Sequence, residues 1–166
     1  MFLTGEQKTL TLKIATLLIE RDEKVAVAES TTGGLVSAAL LSVGGASKYY
    51  AGGGVVYTLA SRTALAGVPA NRYANYQGTT PEMLEELAEA MRQRLQATWC
   101  IAESGLAGPT GGRFGALAGQ TTISVAGPIT RTEIMNTGLA DREANMVKFA
   151  TFTLRLFSQV LTEAKG

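Results

Sequence analysis

Residues 25–34 read Val25-Ala26-Val27-Ala28-Glu29-Ser30-Thr31-Thr32-Gly33-Gly34. The apolar run Lys24–Glu29 predicts a buried strand, and the apolar spacing of Thr32–Leu41 predicts a helix directly after it. Such a junction can bring a side-chain nucleophile next to the free backbone N–H groups of a helix start. Those N–H groups can hold an anion or a developing oxyanion. The stretch therefore predicts a ligand site at the end of a buried strand.

Strand and helix patterns alternate along the rest of the chain. Residues 5–21 are predicted to form an amphipathic helix that begins with a capping box of Thr4 and Gln7. The other predicted elements are a strand beginning in Val55-Val56-Tyr57-Thr58, a short helix at 61–66, a helix from Pro81 to about Gln96, a strand at Thr98–Glu103, strands at Gln120–Ala126 and Thr132–Thr137, and a helix from Asp141 to about Ala164. The alternation predicts an α/β fold, one domain over 1–166, and the late strand pair predicts a mixed sheet.

Composition excludes several classes of function. The chain has 166 residues, 17% of them charged, and a formal net charge of +1, so it lacks the basic surface of a nucleic-acid-binding protein. No apolar run is long enough to span a bilayer, and no signal sequence precedes the first helix, so we expect a cytoplasmic protein. The low charged fraction favours a homo-oligomer, and Tyr73 and Tyr76 look exposed enough to serve a partner.

Two residue types are scarce, and this restricts the chemistry. The chain contains no histidine, which excludes a Ser-His-Asp triad and imidazole ligands to a metal. Its single cysteine, Cys100, lies in an apolar run without a basic neighbour, and we expect a buried core thiol rather than a nucleophile. We therefore expect no metal site and no cofactor.

Ser30 is the first candidate for chemistry, and two interpretations of it stay open. Ser30, Thr31 and Thr32 could simply cap the following helix, as Ser and Thr commonly do. Alternatively, Ser30 is a nucleophile beside the N–H groups of the helix start. Glu29 favours the second interpretation, because a carboxylate at the end of a buried strand must be solvated, paired or used in chemistry.

The loop from Gly105 to Gly119 is the second candidate. Its first part reads Gly105-Leu106-Ala107-Gly108-Pro109-Thr110-Gly111-Gly112-Arg113. Successive N–H groups in such a loop can form an anion-binding nest, although the same composition is typical of a flexible surface loop. It is not a P-loop, which ends in Gly-Lys-Ser/Thr, and it is not a Rossmann fingerprint, which precedes a helix.

The turn Asp141-Arg142-Glu143 is the third candidate. Asp141 is expected to cap the last helix, and Arg142 either binds a phosphate or carboxylate through two hydrogen bonds or lies at a merely solvated helix start. All three candidates lie where a strand or loop meets a helix. In open α/β sheets such junctions gather at one edge and form the ligand crevice.

Four segments together resemble the CinA C-terminal domain family, the nicotinamide-nucleotide amidases. Glu29–Gly34 resembles that family's Glu-Ser-Cys-Thr-Gly-Gly motif, and Tyr57-Thr58 followed by Arg62 resembles its Tyr-Ser-Asn-x-x-Lys segment. Gly105–Gly112 is similar to its Gly-x-Ala-Gly-Pro-x-Gly-Gly loop, and Asp141-Arg142-Glu143 is similar to its Gly-Asp-Arg-Glu turn. The segments occur in the family's order and cover nearly the whole chain, so the resemblance implies a three-layer α/β/α fold.

The resemblance also implies an activity, which is hydrolysis of nicotinamide mononucleotide to nicotinate mononucleotide and ammonia by a serine–lysine dyad. The catalytic positions that it implies are Ser30, Glu29, Arg62 and Tyr57. The positions that it implies for a small-molecule nucleotide are Thr31, Thr32, Gly33, Gly34, Gly105, Ala107, Gly108, Gly111, Gly112 and Arg142.

The chain departs from the family pattern at the position of the catalytic base. Arg62 occupies the position of the lysine, and a guanidinium with a pKa above ~12 cannot take a proton from a serine. Lys48 or Glu29 could act as the base in a rearranged site, which is a weaker hypothesis. Three hypotheses stay open, namely an amidase, a relative that binds a nucleotide or anion without turnover, and a structural or partner-binding protein.

Overall fold

The computed structural model describes residues 1–165. The helices are α1 (Gly5–Glu20), α2 (Leu35–Leu41), α3 (Leu59–Ser61), α4 (Pro81–Arg94) and α5 (Arg142–Ala164). The strands are β1 (Val25–Glu29), β2 (Tyr50–Val55), β3 (Trp99–Gly105), β4 (Gln120–Ala126) and β5 (Arg131–Asn136). Helix α3 continues into a π-helical turn, Arg62–Ala66, and 3-10 turns occupy Ala46–Lys48 and Ala70–Tyr73.

In residues 1–165 the strands form one sheet in the order β2-β1-β3-β4-β5. Strand β1 runs parallel to β2 and β3, whereas β4 is antiparallel to both β3 and β5. The predicted mixed sheet is therefore confirmed. Because the parallel strands β1, β2 and β3 end at the same edge, the residues that follow them are brought together there.

Alternate residues of the strands face two separate cores. On one face, Val27 and Ile101 pack among side chains of α1, α2 and α5. On the other face, Ala28 and Ala102 pack against the apolar side of α4, including Leu87. This arrangement confirms the three-layer α/β/α fold. It also fixes the direction of each side chain near a strand end, because successive residues of a strand point to opposite faces.

The predicted helix starts are confirmed where a side chain caps the helix. Thr4 Oγ1 accepts a hydrogen bond from the Gln7 N–H at 3.1 Å, and Gln7 Oε1 accepts one from the Thr4 N–H at 3.1 Å. The hydroxyl of Thr80 caps α4 and the carboxylate of Asp141 caps α5. These contacts join residues three positions apart, so a local pattern is sufficient to predict them.

The strand predicted to begin in Val55–Thr58 is wrong, because β2 ends at Val55. Its interior contains Gly52, Gly53 and Gly54, which precede the predicted strand. Gly53 pairs with Val27 of β1, and a Cβ atom at Gly53 would lie 2.3 Å from the carbonyl oxygen of Val27. Close approach of the two backbones therefore requires glycine here, and β-propensity misplaced the strand.

The second helix also begins later than predicted, at Leu35 rather than Thr32. Gly33 and Gly34 have left-handed backbone angles, with φ of 62° and 104°. The backbone N–H of Thr32 donates to a buried carboxylate instead of lying inside a helix. The turn between β1 and α2 is thus part of the site.

Two further predictions concern burial. Cys100 is fully buried in β3, as predicted, and burial raises the pKa of its thiol. Among residues 1–165, no helix combines the length and the apolar character that crossing a membrane would require.

Candidate functional site

The same three residues, Ala-Glu-Ser, occur near the ends of two neighbouring strands at the edge where the site lies. Strand β1 leads into Ala28-Glu29-Ser30, and β3 contains Ala102-Glu103-Ser104. Glu29 and Glu103 are register partners, and both side chains are completely buried. Sequence reasoning missed Glu103 and Ser104, although the repeated Ala-Glu-Ser triplet was a visible signal. By strand alternation the two glutamates lie on the α2 and α5 face, and the two serines lie on the α4 face.

The Glu29 carboxylate caps helix α2. Its Oε1 accepts from the N–H groups of Gly34 at 2.8 Å and Val36 at 3.1 Å, and also from the Thr32 hydroxyl at 2.7 Å. Its Oε2 accepts from the N–H and the hydroxyl of Ser37, at 2.9 and 2.7 Å. Because these donors surround both oxygens, the geometry favours a structural role for Glu29 over that of a base for Ser30.

The Glu103 carboxylate ties the segment after β1 to β3. Its Oε2 accepts from the Thr32 N–H at 3.0 Å and the Ser30 N–H at 3.4 Å. The hydroxyls of Thr31 and Thr32 also contact the carboxylate, and that of Thr121 lies 3.3 Å from Oε1. Burial raises the pKa of Glu103, which favours its neutral form.

Ser30 is 4% exposed and sits directly at the end of β1. Its N–H donates to the Glu103 carbonyl oxygen at 3.0 Å, and its own carbonyl accepts from the Gly33 N–H at 3.1 Å. Within the part of the chain that the structure describes, the Ser30 hydroxyl has no hydrogen-bond partner. The backbone of Ser30 is therefore fixed, while its Oγ is bonded to no base.

Lys48 cannot serve as that base. It is exposed, and it lies just before β2, at the end of the sheet where Val25 of β1 begins. Ser30 lies beyond the other end of β1, about 15 Å away along a five-residue strand. The weaker hypothesis of a rearranged site with Lys48 is therefore wrong.

Arg62 is the most unusual charged residue of the site. Its side chain is 2% exposed, and among residues 1–165 it forms no ion pair. The guanidinium donates from Nε to the Val56 carbonyl oxygen at 3.4 Å, from Nη1 to Thr79 Oγ1 at 3.1 Å and from Nη2 to Ser104 Oγ at 2.8 Å. All three acceptors are neutral, so a full positive charge is buried without a counter-charge.

The contacts of Arg62 place it across the end of β1. The Val56 N–H donates to the Glu29 carbonyl oxygen, on the β2 side of Ser30, and Ser104 lies on the β3 side. A guanidinium bonded to both Val56 and Ser104 must therefore pass over the strand end that carries Ser30. Arg62 also begins the π-helical turn, a conformation that is frequent at functional sites.

Tyr73 lies close to the Arg62 guanidinium. Its hydroxyl is buried without a hydrogen-bond partner, which corrects the expectation that Tyr73 is exposed. Burial raises the pKa of Tyr73, and the nearby charge of Arg62 opposes that rise. Tyr76, also only half exposed, packs edge-to-face on Tyr73 and bonds Thr79 Oγ1 through its hydroxyl at 3.0 Å.

Arg142, at the start of α5, joins the glycine loop to the segment that follows β2. Its Nη1 donates to the Gly108 carbonyl oxygen at 2.7 Å, and its Nη2 donates to the Tyr57 hydroxyl at 3.3 Å. Asn145, completely buried in α5, donates to the Ala107 carbonyl oxygen at 2.8 Å. The glycine loop, the start of α5 and the segment after β2 therefore meet at one edge of the sheet.

The glycine loop is folded onto itself and onto the start of α5. Gly108 has φ of 103°, and a Cβ atom there would lie 2.3 Å from the Ala140 carbonyl oxygen. The Gly112 N–H donates to the Ala116 carbonyl oxygen at 2.8 Å, and the Gly119 N–H donates to that of Leu106 at 2.7 Å. The close backbone approach favours a built loop over a flexible surface segment.

A cavity of about 300 Å³ opens beside these residues on the α4 face. Its polar lining comes chiefly from Tyr76, Thr79, Ser104, Arg113, Gln120 and Thr122. Gly105 and Gly112 of the glycine loop also line it, whereas Ser30 and Gly108 do not. In residues 1–165 no cluster of cysteine, aspartate and glutamate has the arrangement of a metal site.

Comparison with known families agrees with this geometry. A model of the CinA C-terminal domain matches residues 7–161. A CinA-like protein of Prochlorococcus marinus (strain MIT 9313) is 41% identical over 124 residues, which are 75% of this chain and 29% of that protein. A CinA-like protein of Desulforapulum autotrophicum is 32% identical over 153 residues, or 92% of this chain and 36% of that protein. The chain thus spans only about a third of these relatives.

Solved structures are similar over their whole length. The competence damage-inducible protein A (ComA) of Klebsiella pneumoniae subsp. pneumoniae MGH 78578 superposes with a TM-score of 0.88 at 28% identity, covering 94% of this chain and 97% of that one. A competence-damaged protein (CinA) superfamily protein of Enterobacter cloacae gives a TM-score of 0.86 at 29% identity, covering 97% and 94%.

Proposed function

This chain belongs to the CinA C-terminal domain family, and from that premise we propose that it binds a pyridine mononucleotide and hydrolyses its amide slowly or not at all. The site for the ligand is the sheet edge where Ser30, the glycine loop and Arg142 meet. The ligand class comes from the resemblance to the nicotinamide-nucleotide amidases. The low rate is argued from the residues themselves.

Arg62 carries the proposal. It occupies the position where the family has the lysine of its dyad, and it lies across the strand end that carries Ser30. A buried lysine can lose its proton and accept one from serine, because burial lowers its pKa. A guanidinium keeps its charge in proteins and cannot act in this way. Loss of a general base typically costs ~10²–10⁴-fold in rate.

Binding of an anionic nucleotide is supported by the charges of the site. Arg142 is exposed and held by Gly108 and Tyr57, so its remaining N–H donors are available to a phosphate. The buried charge of Arg62 has no counter-charge among the described residues, and a bound anion would supply one.

Amide hydrolysis is the second candidate, and the unengaged hydroxyl of Ser30 favours it. In that reaction Ser30 Oγ would attack the carboxamide carbon and lose its proton. Ammonia would leave, and water would then hydrolyse the ester to a carboxylate. A water molecule would have to take the serine proton, because the residues around Ser30 offer no free base.

The test measures ammonia release from nicotinamide mononucleotide by the native protein and by an Arg62→Lys variant, beside calorimetric binding of the same nucleotide. We expect binding with little or no ammonia from the native protein, and a rate at least ~10²-fold higher from the variant. A Ser30→Ala, Arg62→Lys double variant is the control and should be silent.

Two results would contradict the proposal. Fast ammonia release by the native protein would show that Ser30 has another route for its proton, and the amidase candidate would stand. A native protein that binds no pyridine nucleotide would remove the proposed ligand class altogether.

A further inference from the structure

The geometry points to an anion subsite in the cavity on the α4 face, where the hydroxyls of Thr79 and Ser104, polarised by Arg62, donate to a carboxylate or phosphate oxygen of the ligand. This inference rests on the proposed function in one respect, because it takes that ligand to be a nucleotide bound at the same edge. It also identifies the groups that select the ligand. It predicts that nicotinate mononucleotide, the acid, binds more tightly than nicotinamide mononucleotide, the amide.

The hydrogen bonds of these hydroxyls determine where their protons can be donated. Arg62 Nη1 donates to Thr79 Oγ1 at 3.1 Å, and Nη2 donates to Ser104 Oγ at 2.8 Å. Both oxygens are thus acceptors toward the guanidinium, and the proton of each hydroxyl has to point elsewhere. Thr79 Oγ1 lies 3.2 Å from Ser104 Oγ and 3.0 Å from the Tyr76 hydroxyl, so the three hydroxyls share two contacts and at least one of their three protons remains to be donated. Both residues line the cavity, which is where that donation can go.

The electrostatics select an anion. Arg62 lies behind the two hydroxyls with an uncompensated charge, and Arg113 contributes a second cation to the lining itself. No lining residue is acidic. Glu86, the acid whose charge is felt at neighbouring Tyr73, is already paired with Arg72 at 2.9 Å. A ligand that brings a negative charge would therefore neutralise a cation whose burial otherwise costs stability.

The rest of the cavity fits a planar ring. Tyr76 and Phe114 both line it, and the Phe114 side chain is 59% exposed. The Tyr76 hydroxyl bonds Thr79 Oγ1 at 3.0 Å, so the aromatic wall is connected to the polar pair. A heteroaromatic carboxylate places a planar ring and an anionic group next to each other, which matches this lining.

The experiment compares the acid and the amide on the intact chain. Binding of nicotinate mononucleotide, nicotinamide mononucleotide and inorganic phosphate is measured by calorimetry at one salt concentration. We expect the acid to bind about tenfold or more tightly than the amide, since the two differ by one charge-assisted contact. Binding of phosphate alone, together with equal binding of the acid and the amide, would assign the anion preference to the phosphate group. That result would overturn the carboxylate preference.

Matched variants assign the preference to the two hydroxyls. Thr79→Val and Ser104→Ala should each lower the acid-to-amide ratio about tenfold and leave binding of the amide within about twofold. Thr122→Val is the control. It also replaces a threonine of the cavity by valine, but Thr122 forms no hydrogen bond to Arg62. Thermal unfolding of each variant verifies that the fold is retained.

The outcomes separate this inference from the proposed function. Equal binding of acid and amide, with unchanged affinity in Thr79→Val and Ser104→Ala, would overturn the subsite while the proposed nucleotide ligand stood. Binding of free nicotinate that depends on Thr79 and Ser104, without binding of either nucleotide, would support the subsite and overturn the nucleotide.

Discussion

A single hydroxyl lies between two buried carboxylates. Thr32 Oγ1 is 2.7 Å from Glu29 Oε1 and 3.0 Å from Glu103 Oε2. A hydroxyl has one proton, so it can donate to only one of them, and the other contact needs a proton on the carboxyl group. Both carboxyl groups accept from several donors, but burial raises the pKa of Glu103 and favours its neutral form. Glu103 is therefore the group that carries the proton and donates it to Thr32.

This assignment gives a pH dependence of stability. The pKa of Glu103 is raised mainly by burial and further by the charge of Glu29, the charged group that faces it. Unfolding lets Glu103 return to about 4.3, so the folded state binds the proton more tightly. The stabilisation that Glu103 contributes to the folded state is therefore fully present below about pH 4. It decreases as pH rises toward the raised pKa.

Urea titrations between about pH 4 and pH 8 check this prediction. Glu103→Gln keeps a neutral donor and acceptor, and it should remove the decrease while leaving the fold intact. Glu29→Gln is the matched change, and it should cost about 3 kcal/mol because it replaces the carboxyl group that accepts the hydrogen bonds at the start of α2. A stability curve that keeps the same slope in Glu103→Gln would show that another group titrates.

At the scale of elements, the pairing of β2 with β1 depends on backbone contact. A Cβ atom at Gly53 would lie 2.3 Å from the Val27 carbonyl oxygen, which cannot move without breaking the ladder. At the next residue, Gly54, the nearest atom to a Cβ would be Leu65 Cδ1 at 3.6 Å, an ordinary contact. Neighbouring glycines of one strand therefore have different roles.

Alanine substitutions test this difference. Gly53→Ala should lower the free energy of unfolding by about 3 kcal/mol, because the two strands must separate to admit the methyl group. Gly54→Ala should change it by less than about 1 kcal/mol. Urea denaturation of the two variants measures both effects, and equal effects would show that the pairing does not require Gly53.

At the scale of the whole molecule, the assembly state stays a prediction. The low charged fraction favours a homo-oligomer, and Leu117 (78%), Phe114 (59%) and Ile134 (49%) are large apolar side chains that the isolated chain exposes. Ile134 lies on β5, an edge strand of the sheet. Sedimentation equilibrium should give a mass of at least twice 17.4 kDa, and a monomer mass at high concentration would refute the prediction.

Elements whose signals are local could be predicted from the amino-acid sequence. Thr4 with Gln7 and Thr80 with Pro81 begin their helices within one turn, and such caps act over three or four residues. The order of strands and helices then predicted the α/β layers and the edge where the candidate segments meet. The glycines of β2 misled the prediction, because Gly53 is required by the neighbouring backbone of β1 and this requirement cannot be inferred from strand propensity.

Tertiary structure alone decided the partners inside the site. Ser104 and Thr79 are 42 and 17 positions from Arg62 along the chain, yet both accept its hydrogen bonds. Glu103 is 73 positions from Ser30 and reaches it only because β3 pairs with β1 in one particular register. Strand register depends on all the side chains of both strands and on their packing, so no local pattern contains it. The sequence determined which residue types were available, and the register determined which of them meet.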